Sequence, residues 1–312
     1  MSARSTPGSE SLQSVGKTRR LTVKSDGPLL ACLLAISGLK RKTVKNLLKF
    51  GAVAVNGATV RQFDHPLAAG DVLTIGEMHA AAATSRLQEA GVSVLFEDDA
   101  LIAVDKPSGL LTVATDLEKL ETLFVCVSEY LHDADPKSDA RAVVVHRLDQ
   151  DTSGVVLFAK SELVKERLQN DWPSVQKTYL AVVVGKPPDA QGTIRSYLAE
   201  NQRLSVYSSP HPSSDAKLAV THYRLFETRG ELSLLQVRLE TGRKHQIRVH
   251  LADLGCRVAG DRRYGEMTDP CQRLGLHAAA LALKHPLTGK ALDFRSPLPA
   301  ALGKWSYTLA DL

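Results

Sequence analysis

No stretch of this 312-residue chain is apolar for long enough to cross a membrane as a helix. The longest candidate, Leu29 to Ile36, falls far short of the roughly 20 residues a bilayer demands, and a basic cluster follows it. Metal-type cysteine spacing is missing too. Cys32, Cys126, Cys256 and Cys271 are scattered singly, which points to reduced thiols in a cytosolic protein. Neither GxxxxGKS/T nor GxGxxG occurs, so no glycine-rich loop is offered to a nucleotide phosphate. Ser153 lacks the GxSxG elbow of a serine hydrolase. His245 and His250, five apart, suit neither the i,i+4 helical pair of a zinc site nor alternate positions on a strand, so no metal is expected. The first residues, MSARSTPGSESLQSVGKTRR, have no apolar segment and exclude a secretory signal. They read as a disordered basic tail over 1–25, with an organelle transit peptide as the alternative.

Acidic residues are scarce in one region only. Residues 1–91 hold 12 Lys and Arg against 6 Asp and Glu, whereas the rest holds 27 against 28, so the net +5 belongs to the N-terminal third. Such asymmetry points to a polyanion partner, most often nucleic acid. The length suits about two domains. The first is expected over residues 26–78. Leu29, Leu30, Leu33 and Leu34 recur at helical spacing. A second helix is expected from Thr43, as N-cap, to Phe50, with Gly51 as its stop. Lys42, Lys45 and Lys49 would share one face of it, and with Lys40 and Arg41 they form a run without an acid to pair them, which favours phosphate contact over a merely solvated face. Ala52-Val53-Ala54-Val55-Asn56-Gly57 then reads as a strand entering a hairpin turn. Residues 79–91 read as a linker. From 92 to 312 many short strands alternate irregularly with helices, which argues for an α+β domain with a mixed, largely antiparallel sheet.

Two polar stretches interrupt that second domain. His146-Arg147-Leu148-Asp149-Gln150-Asp151-Thr152-Ser153-Gly154 lies between Ala142–Val145 and Val155–Ala159, both strand-like. A carboxylate between apolar strands must be solvated, paired or neutral. On the loop alone, Asp149 reads as a turn-forming aspartate. The second stretch, Gly242-Arg243-Lys244-His245-Gln246-Ile247-Arg248-Val249-His250, supplies an arginine that can pair with that carboxylate and hold it oriented.

In order, Lys106-Pro107-Ser108-Gly109, HRLDQDTSG, KTYLAVVVG (177–185), GRKHQIRVH and Gly260-Asp261-Arg262-Arg263-Tyr264-Gly265 resemble the RluA-type pseudouridine synthases over residues 94–297. The helix, basic helix and GAVAVNG turn resemble the small RNA-binding domain named after ribosomal protein S-four, although LLACLLA lacks the usual charged pair after its first Leu. Cys256-Arg257 also departs from the family's usual His-Pro. The resemblance implies an enzyme without cofactor that isomerises uridine in structured RNA. Asp149 would promote cleavage of the glycosidic bond, after which the base turns and rejoins ribose through carbon-5. Attack on the anomeric carbon and removal of a ribose proton both remain open as its role. Tyr179 would stack on the base and Arg248 would pair with Asp149. Leu276 would line the uracil pocket, and His146, Arg147, Arg243 and His245 would contact substrate. Asp151 is left to shape the turn. Large-subunit ribosomal RNA is the expected target and transfer RNA the runner-up, for a monomeric cytoplasmic protein. A silent RNA-binding or ribosome-assembly factor is a further alternative.

Overall fold

The computed structural model describes residues 19–49, 52–60, 62–75, 87–115, 118, 120–135, 138–202, 204–265 and 271–312. By contacts the chain divides into two units, Met1–Arg86 with His132–Lys137 and Leu87–Leu131 with Ser138–Leu312. No helix among the described residues is long and apolar enough to cross a membrane.

In the N-terminal unit, Pro28 precedes the helix Leu29–Ser37, and Gly38 ends it with a left-handed φ of 70°. The next helix is Arg41–Lys49, two residues earlier than the expected start. The Val44 amide already bonds to the Lys40 carbonyl at 3.0 Å, so Thr43 is an interior residue and no N-cap. Phe50 and Gly51 lie outside the described residues. The helices cover a four-stranded sheet, ordered β1 (Arg19–Thr22), β6 (Val72–Ile75), β3 (Val53–Val55), β4 (Ala58–Thr59), and β2 (Gly27–Pro28) pairs with β5 (Pro66–Leu67). Asn56 and Gly57 both take positive φ, 49° and 88°, as a tight two-residue hairpin requires. The expected tail is shorter than 1–25, because β1 pairs along its whole length with β6. Residues 1–18 and the connector at 76–86 lie outside the described residues.

The larger unit is built on an eleven-stranded sheet. Its path runs β13 (Val206–Ser209), β12 (Gln191–Glu200), β14 (Lys217–Arg229), β15 (Leu232–Leu239), β11 (Gln176–Val184), β16 (Leu276–Lys284), β10 (Ser153–Ala159), β8 (Leu101–Lys106), β7 (Ser93–Glu97). β17 (Ala291–Arg295) and β9 (Val143–Val144) flank β16 and β10. Pairing is antiparallel except between β10 and β16, so the sheet is mixed and mostly antiparallel as expected. β10 is buried along its full length, which explains its unbroken apolar run after Gly154.

The one parallel junction positions everything that follows. It begins at Ser153↔His277 and Gly154↔Ala278, so the chain entering β10 and the chain entering β16 arrive at the same end of the sheet. Only glycine fits at 154. Its φ is 114°, and a Cβ there would lie 2.2 Å from the Ala278 carbonyl oxygen. Next door, the β11–β16 register slips between Thr178 and Leu180, leaving Ala278 and Ala279 opposite Tyr179. A bulge of this kind re-aims a side chain.

Candidate active site

Loop 146–152 is fixed from beneath through its backbone. Lys106, 1% exposed, sends its ammonium back to three carbonyls: Pro107 at 3.0 Å, Leu110 at 2.7 Å and Gln150 at 2.8 Å. Thr112 Oγ1 donates to the Leu148 carbonyl at 2.8 Å and accepts from the Leu148 amide at 3.2 Å. Ser108 Oγ donates to the Asp151 carbonyl at 2.7 Å, and the Thr152 amide closes a turn on the Asp149 carbonyl at 3.1 Å. Burial pulls the Lys106 ammonium down to about 7, against the opposing pull of Asp151 and Asp149.

The GRKHQIRVH stretch folds into the helix Gln246–Asp253. Gln246 and His250, one turn apart, share the face packed on the sheet. Gln246 Nε2 donates to the Val220 carbonyl (3.0 Å) and Thr221 Oγ1 (2.9 Å), while its Oε1 accepts from Thr241 Oγ1 (2.8 Å) and the Arg243 amide (3.0 Å). His250 is fully buried between Ser196 and Thr221 hydroxyls. Both are anchors. Arg248 lies about 200° around the helix from Gln246, on the other side.

There Arg248 meets two carboxylates. Its Nε and Nη2 grip Asp261 at 2.7 and 2.8 Å in a bidentate pair, and its Nη1 reaches Asp149 Oδ2 at 3.4 Å. Burial opposes the guanidinium's charge, yet bonds and attraction from Asp261, then Asp149, hold it above its usual range. Burial likewise opposes the Asp261 charge, but Arg248 and the Arg263 and Tyr264 amides hold that carboxyl below its usual range. His245 precedes the helix with a left-handed φ of 54°. Tyr264 hydroxyl accepts from the Val206 amide at 3.0 Å and shares a hydrogen bond with His245 Nδ1 at 2.8 Å. The other ring nitrogen, Nε2, is 3.8 Å from Asp149 Oδ2. Burial pushes the His245 imidazole below its usual range, Asp149 pulls it back up, and Arg248, Arg263 and Lys244 lower it further.

These groups open onto a cavity of about 1400 Å³, larger than one nucleotide needs. Arg147, Leu148, Asp149, Tyr179, Arg243, His245, Arg248 and Leu276 all line it. Among the described residues, seven Lys and Arg line it against Asp149 and Asp151, a charge balance suited to a polyanion. Burial, reinforced by the Asp149 charge, pushes the Tyr179 phenol well above its usual range, so it is neutral at any physiological pH.

One expected substrate contact, His146, is not in this wall. Its ring packs on Trp172 at 4.9 Å and its Nε2 accepts the Leu157 amide at 2.9 Å. Burial, with a smaller contribution from Lys177, pushes it down to about 4. Tying β10 to the preceding strand is its structural role. Conversely, sequence reasoning missed Asp261, Lys106 and Arg273. Arg273 Nη2 donates to Ser153 Oγ at 2.6 Å, and because His277 Nε2 must donate to the Ser296 carbonyl (3.1 Å), its Nδ1 accepts the Ser153 proton (2.9 Å). Asp261 and Lys106 each lie inside a quoted motif without having been given a role, and a second acid near GRKHQIR was the available signal. Among the described residues no cluster could hold a metal ion. Lys40, Arg41 and Lys45 are exposed in the N-terminal unit, while the side chains of Lys42 and Lys49 lie outside the described residues.

Comparison with known proteins adds the family. Residues 100–253 match the model for RNA pseudouridylate synthase. A ribosomal large subunit pseudouridine synthase D of Zymomonas mobilis is 33% identical, over 85% of this chain and 87% of that protein. An uncharacterized RNA pseudouridine synthase, YlyB, of Bacillus subtilis is 32% identical, over 83% and 86%. The solved structure of human RNA pseudouridylate synthase domain containing 4 shares the fold, with a TM-score of 0.57 at 22% identity over 72% of this chain and 94% of that one.

Proposed function

This chain belongs to the RNA pseudouridine synthase family, and from that premise we propose that it isomerises uridines of large-subunit ribosomal RNA with Asp149 as the essential carboxylate. The carrying observation is the lopsided setting of Asp149. The Arg248 hydrogen bond falls on Oδ2, and the His245 ring lies nearest the same oxygen, which leaves Oδ1 for the ribose in a cation-lined cavity. Attack on the anomeric carbon or removal of a ribose proton would each use that oxygen. Tyr179 and Leu276 line the same floor, where a planar base can stack and turn before it rejoins ribose through carbon-5. No external group enters the product, so the reaction is an isomerisation.

Reaching the glycosidic bond of a paired uridine requires flipping it out, at a cost of a few kcal/mol. Arg147, exposed on the cavity wall, is assigned to fill the vacated stack. If so, Arg147→Ala slows reaction on structured RNA more than on unpaired RNA; equal rates for variant and wild type on both would remove that role. Arg243 and His245 are assigned to the flanking backbone. The ribosomal target rests on the name of the Zymomonas relative. The N-terminal unit is assigned to RNA binding in the manner of the ribosomal-protein-S-four domain, with Lys40, Arg41, Lys42, Lys45 and Lys49 on phosphates; its uncompensated basic helix supports this. We assign the protein to the cytoplasm as a monomer.

The deciding experiment is tritium release from carbon-5-labelled ribosomal RNA and, separately, transfer RNA. Wild type is expected to release tritium from the first and Asp149→Asn from neither. Release from transfer RNA alone moves the target, and no release from any cellular RNA leaves a silent RNA-binding factor.

A further inference from the structure

The hairpin β12–β13 ends beside the cavity in a turn that its own chemistry does not explain. Glu200 pairs with Val206, so Asn201, Gln202, Leu204 and Ser205 belong to the tip. Asn201 makes the turn: its amide donates to the Ser205 carbonyl (2.9 Å), its Oδ1 accepts the Ser205 amide (3.0 Å), and its carbonyl accepts the Leu204 amide (2.9 Å). Leu204 occupies the left-handed position, with φ 57°. A β-carbon crowds the backbone there, and glycine or asparagine would serve with less strain. Yet a leucine stands in that place, 63% exposed.

Isolated exposed leucines are common and by themselves carry no meaning. This one is also braced. Arg263 Nη1 donates to the Leu204 carbonyl at 3.0 Å, the Val206 amide donates to Tyr264 hydroxyl at 3.0 Å, and Lys244 pairs with Glu200. Each brace comes from a segment that also holds the site, for Asp261 follows Gly260 into the same turn as Arg263 and Tyr264, and Lys244 precedes His245. Leu204 itself lines the cavity beside Arg262 and Arg263. An exposed apolar side chain carried on a strained and braced backbone beside a polycation suits a polyanion that carries flat apolar faces.

We propose that Leu204 is an apolar wedge that stacks against a base neighbouring the flipped uridine and holds the folded RNA open. Apolar side chains inserted between base steps unstack them and stabilise the opened strand. The inference rests on the reaction proposed above and adds to it a residue that discriminates folded from unpaired RNA.

The test uses total RNA from cells lacking this gene, labelled with tritium at uridine carbon-5, both folded and cut to unpaired fragments. Single-turnover release is measured with excess full-length protein. Leu204→Asn relieves the left-handed strain and so preserves the turn, while Leu204→Met keeps an apolar tip. Leu204→Asn is expected to slow release from folded RNA about tenfold more than release from fragments, the worth of one stacked base. Leu204→Met is expected to retain most of the wild-type rate on both. Wild-type behaviour of Leu204→Asn on folded RNA would overturn the wedge, as would an equal loss on the two substrates. Both of those results leave the isomerase reading standing. Absence of release by the wild type removes that reading, and the wedge with it.

Discussion

Arg248 holds a carboxylate at each end of its guanidinium, and the two ends are built differently. The Asp261 end is closed: the carboxylate side chain is 1% exposed, accepts two short bonds from Arg248, and takes two backbone amides besides. The Asp149 end is open: one contact of 3.4 Å, with a side chain 26% exposed. Satisfied buried pairs of the first kind fix geometry. A carboxylate of the second kind keeps bonding capacity in reserve for a ligand. Its backbone, however, is tied down, because Thr112, Lys106 and Ser108 bond the loop at the carbonyls of Leu148, Gln150 and Asp151. The site thus couples an under-used functional group to a rigid support, which is the arrangement that pre-organised catalysis requires.

Substitution of each carboxylate should separate the two ends. Asp149→Asn is expected to cost about 10⁴-fold or more in isomerisation, the scale for loss of an essential catalytic group. Its stability change should stay under about 1 kcal/mol, since Arg248 keeps its main partner. Asp261→Asn should do the reverse in stability, losing about 3 kcal/mol because a buried guanidinium is left half-paired. Its activity should fall by roughly 10²-fold as Arg248 loses its aim at Asp149. Denaturant midpoints and single-turnover rates on the same samples decide the matter. Equal destabilisation by the two substitutions would erase the distinction between a closed and an open end.

Much of this layout is legible in the residues, and what was not has physical reasons. The Asn56-Gly57 hairpin is written in local chemistry, since few residues accept positive φ twice in succession. That an arginine of GRKHQIRVH could serve as counter-charge to Asp149 was readable from the residues, and the family resemblance singled out Arg248. Asp261 was not readable, for an acid thirteen positions away in a polar turn reads as a turn former until the chain brings it under the helix. Lys106 likewise marks only the end of a strand, and no periodicity tells that its side chain curls back on three carbonyls. His146 shows the opposite error. Adjacency to Arg147 and Asp149 suggested a common wall, but its ring turns inward onto Trp172. Thr43 failed as a cap because the basic residues before it are good helix formers and continue the helix to Arg41.

The support beneath the open end offers the subtlest test. Three carbonyls call for three donors, which the Lys106 ammonium has and the neutral amine lacks. Burial has lowered its folded value to about 7, from an unfolded value near 10.5. Below about 7 both states hold the proton, and the buried charge costs stability throughout. Between about 7 and 10.5 the unfolded chain binds more protons than the folded one, so stability from this group rises with pH across that window. Lys106→Met is of similar length and should lower the rate about tenfold by loosening the loop under Asp149. The decisive quantity is the difference in unfolding free energy between wild type and Lys106→Met, measured from pH 6 to pH 10. It should be flat below about 7 and then climb in favour of wild type, while the wild-type rate declines as the third donor is lost. A difference that stays flat over the whole range would mean that the carbonyl cage keeps the proton on Lys106. The loop at the open end would then be held as firmly at alkaline pH as at neutral.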